Sequence, residues 1–108
     1  MSLPTATFSK GFQENRRYLI DMTLDLAVGE SIASIAAPVI TSPSGEMIPT
    51  LVINNIVLAP AVNGIVNQAT FFASVGTAGQ SYEVDFLITT SLPQVIEAVV
   101  AFNIVSKT

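Results

Sequence analysis

The sequence contains no cysteine, no histidine and no tryptophan. Without cysteine there are no disulfides, no thiolate zinc sites and no thiol nucleophile. Without histidine, the commonest general base and the commonest transition-metal ligand are both missing. Charge is scarce too, at 11% of residues against roughly 25% for an ordinary soluble domain. The mean hydropathy of +0.60 raises the question of a membrane span. However, the longest uncharged stretches, Ser31 to Gly45 and Met47 to Tyr82, are interrupted by Pro, Asn, Ser, Gln and Gly. Neither holds the roughly 18 continuous apolar residues that a bilayer helix needs. The opening Met1-Ser2-Leu3-Pro4 lacks a basic region followed by an apolar core, so synthesis and assembly in a cytosol are expected.

What remains is a chain of 108 residues, half of them apolar, a length that suits one domain with one core. Its few charges are segregated. Lys10, Glu14, Arg16 and Arg17 give the first seventeen residues a net +2, whereas Tyr18 to Ser106 holds seven acidic residues and no cation. An acidic body disfavours nucleic acid, whose phosphates need clustered Lys and Arg. From Ser31 to Tyr82, Glu46 is the only charged residue. Surfaces of Ala, Val, Ser, Thr and Asn suit burial against partners, because interface cores are depleted in charge.

Residues 1–17 show no clear periodicity and read as an extended N-terminal arm or a first edge strand; the reading adopted is an arm over 1–17 and a folded domain over 18–108. From Tyr18 the pattern alternates, with Tyr18, Ile20 and Met22 on one face, and Leu24, Leu26 and Val28 continue it to a turn at Gly29. A second strand begins at Ser31, anchored by Ile32. Thr41 to Glu46 is a turn cluster, and Leu51 to Leu58 is either one strand or a hairpin about Asn54-Asn55. Asn63-Gly64 signals a tight turn. Ile65 to Val75, Tyr82 to Thr89 and Val95 to Val105 are alternating strands, with Phe71 and Phe72 on opposite faces of the first, Tyr82, Val84, Phe86 and Ile88 on one face of the second, and Ile96, Ala98, Val100, Phe102 and Ile104 on one face of the third. Turn signals fall roughly every eight to twelve residues, and no helical period competes. The expected fold class is all-β, a sandwich or small barrel.

Two segments carry a resemblance. The first is Leu24-Asp25-Leu26-Ala27-Val28-Gly29-Glu30-Ser31-Ile32; the second runs from Phe72 through Gly76-Thr77-Ala78-Gly79-Gln80-Ser81-Tyr82 to Thr89-Thr90-Ser91. Together they resemble the immunoglobulin-like fibre–tail adaptor proteins of tailed bacteriophages over roughly residues 18–105. The chain departs from that family at Leu24, Leu26 and Phe72, where tryptophan is frequent, and at Leu92-Pro93-Gln94, where a Gly-polar turn is usual. The resemblance implies an immunoglobulin-like β-sandwich of about seven strands. It also implies a virion structural protein, present in several copies, that joins the tail to its fibres. Capsid decoration, head–tail joining and a carbohydrate-binding adhesin module are the alternatives. Independently of any family, Gly76 and Gly79 permit positive φ at a crossover. Tyr82 stands where a tyrosine corner would pin it, or is a core tyrosine after a generic turn.

No catalytic pattern stands above its structural alternative. Glu83 with Asp85 and Asp21 with Asp25 are paired carboxylates that could bind calcium or move protons. They lie on strands without a basic partner, which reads as a solvated face. The hydroxyls have no general base, and Gly76-Thr77-Ala78-Gly79 lacks the lysine of a phosphate loop. No catalytic residue, cofactor or metal is expected. The expected partners are other virion proteins, with neither nucleic acid nor membrane among them. Phe8, Lys10, Phe12, Arg16 and Arg17 are the candidate contact residues, and Gly76, Gly79 and Tyr82 the structural corner.

Overall fold

The computed structural model describes residues 6–23, 25–43, 45 and 47–106. Within them the chain forms eight strands: β1 (Ala6–Gly11), β2 (Arg16–Asp21), β3 (Ile32–Ile35), β4 (Val39–Thr41), β5 (Leu51–Leu58), β6 (Gln68–Val75), β7 (Ser81–Thr90) and β8 (Val95–Val105). The described residues include no helix, hence none long and apolar enough to cross a membrane.

The strands make two sheets. The larger has the order β1-β8-β7-β3, with β4 also on β7, and the smaller has the order β2-β6-β5. All pairings are antiparallel except β1 on β8, which is parallel from Ala6↔Val100 to Gly11↔Val105. The alternation in the sequence sets which face is buried. Tyr82, Val84, Phe86 and Ile88 of β7 and Ala98, Val100, Phe102 and Ile104 of β8 point inward, where they meet Ile20, Phe71 and Ala73 of the smaller sheet. Phe71 spans the two layers, 5.1 Å from Phe86 and 6.2 Å from Phe102 between ring centroids. Pairs at such spacings add about 0.5–1.5 kcal/mol beyond the area they bury.

Of the arm expected over 1–17, residues 6–11 and 16–17 are instead paired in strands. Ala6–Gly11 is a strand of the larger sheet, and Arg16–Asp21 is a strand of the smaller one. The physical reason is apolar: Phe8 packs 4.7 Å from Tyr18 and 5.7 Å from Phe102, and Phe12 rests on the same core. Residues 1–5 lie outside the described residues, as do Leu24, Glu46 and Lys107.

Three other departures have local causes. Strand β2 stops at Asp21, well short of Val28, because Asp21 Oδ1 accepts both the amide and the hydroxyl of Thr23 and turns the chain. Asp25 therefore sits in that turn and shares no strand face with Asp21. Leu51–Leu58 is one strand, with its ladder broken between Asn54 and Val57 where Asn55 takes φ +52°, a conformation that asparagine tolerates. Eight strands appear in place of about seven because β3 and β4 are two pieces along one side of β7. Pro38 between them has no N–H to donate to the ladder.

Candidate interaction surfaces and the two hydrogen-bonded ends

At one end of the molecule, β6 passes to β7 through Val75 and Gly76, which adopt φ +63° and +89°. Glycine is favoured at 76 on two counts: the sign of φ, and a Cβ that would lie a tight 3.0 Å from the Ile104 side chain. Gly79, at φ +86°, has open space around it, and its amide donates to Ile104 O at 2.9 Å. The hydroxyl of Tyr82 accepts Thr77 N–H at 3.0 Å and lies 3.2 Å from Thr50 Oγ1. A fully buried tyrosine ring thus carries its polar tip to a turn amide five residues upstream.

Lys10 joins the same end. It is fully buried, and its ammonium donates to Gly11 O at 2.8 Å and Val75 O at 2.7 Å. A β-branched residue in the left-handed region costs of order 1–3 kcal/mol. The bond from Lys10 helps to hold Val75 in that conformation, tying β1 of one sheet to the exit of β6 in the other. Burial pushes the Lys10 pKa down, and the Glu14 carboxylate opposes this in part.

The opposite end is fastened by an anion. Glu30 is buried; its two carboxylate oxygens accept Ala27 N–H at 2.8 Å and the Thr90 hydroxyl at 2.6 Å. These bonds, Thr90 first and then the Ala27 amide, hold the carboxyl below its ordinary pKa against the opposing effect of burial. Beside it Ser31 N–H donates to Ser91 Oγ at 2.9 Å, and Ser31 Oγ accepts Val66 N–H at 2.8 Å. Gly29-Glu30-Ser31-Ile32 and Thr89-Thr90-Ser91, distant in sequence, are therefore one knot in space. In the sequence these residues stand out as motif positions, and Glu30 does not stand out as an anchor. The available signal was its spacing, three residues after Ala27 and beside a hydroxyl-rich strand end.

The five candidate contact residues divide. Lys10 is buried, Phe8 and Phe12 are half-buried in the core, and only Arg16 and Arg17 are exposed, on the free edge strand β2. The two outer faces differ in sign. On the larger sheet, Glu83, Asp85 and Glu97 stand among Val39, Leu87 and Val95, with no Lys or Arg on that face among the described residues. Glu83 and Asp85 are half-buried there, so the expected solvated face is only partly solvated. Asp85 and Glu97 hydrogen bond as carboxyl to carboxyl. That bond, burial and the neighbouring charge together raise the Asp85 pKa. On the smaller sheet, Arg17 pairs beside Phe72, flanked by Leu19, Val52 and Val57. Among the described residues, no group of three or more acidic, His or Cys side chains could hold a metal ion.

A family model described as "Podophage GP4 fiber-tail adaptor protein gp77" matches residues 10–103. No curated protein and no solved structure matches the chain.

Proposed function

The chain belongs to the podophage fiber-tail adaptor family, and from that premise we propose that it is a non-enzymatic structural protein of the virion tail. It links the tail to tail fibres through protein–protein contacts and is present in several copies per particle, assembled in the host cytoplasm. The observation that carries this reading is the family match over residues 10–103, which takes in both hydrogen-bonded ends and every strand except the first residues of β1 and the last of β8. The charge-poor stretch from Ser31 to Tyr82 supports it, since apolar surface with sparse charge suits burial against partners.

We further infer an immunoglobulin-like sandwich. The strand orders β2-β6-β5 and β1-β8-β7-β3 support it, as does a tyrosine at the start of β7 bonded to an upstream amide. The role is tested on particles that lack only this chain. Intact heads and tails without fibres, restored by supplying the protein, are expected. Fully fibred particles, or a protein found solely on the capsid, contradict the adaptor role.

A further inference from the structure

The two broad outer faces are unlike in a complementary way. The face formed by β4, β7 and β8 is acidic. Asp85 lies directly between Val39 on β4 and Val99 on β8, and Leu87 pairs with Glu97. Val39 and Leu87 are 63% and 46% exposed, far more than an inward-facing strand residue would be. Asp85 Oδ1 is buried without a hydrogen-bond partner among the described residues, and the Glu97 side chain beside it is exposed. The face formed by β2, β6 and β5 is cationic at Arg17, with Leu19, Val52 and Val57 exposed around it. The one acid on β2, Asp21, lies at the far end of the strand and is engaged by Thr23 and Gln68.

From this we propose that the occupant of the acidic face is a second copy of this chain, seated by its β2-β6-β5 face so that Arg17 reaches Asp85 and Glu97. The proposal deepens the adaptor reading and rests on its premise of several copies. The argument for self-contact is charge complementarity. Lys10 is buried, so Arg16 and Arg17 are the exposed cations among the described residues. They lie on the opposite sheet from the three carboxylates and cannot reach them within one molecule. A guanidinium offers five donors in a planar fork, which suits the exposed Glu97 carboxyl beside Asp85. Each copy would use both faces at once, which makes the contact heterologous and able to propagate from copy to copy. Val39, Leu87 and Val95 would then meet Leu19, Val52 and Val57, an apolar centre flanked by charge.

The test is a charge swap followed by sedimentation velocity over a range of concentrations. Arg17→Glu and Glu97→Arg change exposed side chains, and thermal unfolding checks that each variant keeps its core. Each single variant is expected to weaken self-association by about tenfold or more. The double variant, which restores opposite charges across the contact, should return to within about threefold of the unchanged protein. Three results overturn the proposal: an unchanged protein that stays monomeric at the highest concentration reached, single variants that associate as tightly as the unchanged protein, or a folded double variant that fails to recover. Fibre attachment is scored separately on particles. Self-association that follows the swap while fibres attach without this chain would sink the adaptor role and leave the contact standing.

Discussion

Strands β1 and β2 are neighbours in sequence, similar in length and alike in carrying the chain's positive charge, yet the fold uses them in opposite ways. β1 closes the edge of the larger sheet by parallel pairing with β8, sinks Phe8 into the core and buries Lys10 completely. β2 forms an open edge of the smaller sheet, buries Ile20, half-buries Tyr18 and leaves Arg16 and Arg17 in solvent. The difference teaches that a cluster of cations in sequence need not be a cluster on the surface. A lysine whose stem crosses from one sheet to the other can reach backbone carbonyls, and with both bonds made its ammonium is tolerated where an unpaired one would not be.

The largest expected effect is on β1. Deleting residues 1–11 exposes the β8 edge and removes Phe8 and Lys10 together. Denaturant titration should then show loss of a cooperative transition. A truncated chain with an unchanged midpoint would return the segment to the role of a detachable arm. Next comes Lys10→Ala, which leaves Gly11 O and Val75 O without their donor and opens a cavity; about 2–3 kcal/mol of stability should be lost. Tyr82→Phe removes a single hydroxyl at the same end and should cost about 1 kcal/mol, read as a shift in denaturation midpoint. At that end, then, the buried lysine should prove the larger contributor.

Glu30, at the other end, sharpens the contrast through pH. Its folded pKa lies below its ordinary value of 4.5, so the unfolded chain binds the proton first. The stability that Glu30 contributes is present above pH 4.5 and is lost as pH falls through the lower, folded value. Asp85 acts in the other direction, because its raised pKa favours the folded state at acid pH and this contribution fades as pH rises through it. Stability measured against pH in the unchanged protein and in Glu30→Gln should show the acid loss diminished in the variant. Identical slopes would remove Glu30 from the account. The smallest effect on folding belongs to β2: Arg16→Ser with Arg17→Ser should alter stability by no more than about 0.5 kcal/mol.

Much of this architecture was legible in the sequence. The alternation of Tyr82, Val84, Phe86 and Ile88, and of Ile96 through Ile104, fixes the inner face of the larger sheet, because a period of two leaves one register for a half-buried strand. Gly76, Gly79 and Tyr82 left two readings open, a tyrosine corner or a core tyrosine after a generic turn, because only the fold brings the Tyr82 hydroxyl to the Thr77 amide. Ala6–Gly11 was obscure for a definite reason: a parallel edge strand is paired through a partner nearly a hundred residues away, and no local pattern reports that. Lys10 misled because charge suggests solvent, whereas its hydrogen bonds depend on the turn at Val75. Glu30 was hidden in the same way, since Thr90 reaches it only after β3 and β7 have paired.

The central claim is that the basic segment is divided, β1 serving the fold and β2 serving assembly. The most direct measurement is the amount of the Arg16→Ser, Arg17→Ser variant found in purified particles, taken together with its unfolding midpoint. The account predicts a midpoint equal to that of the unchanged protein and particles largely empty of the variant. A variant that folds normally and incorporates at the full level would contradict it.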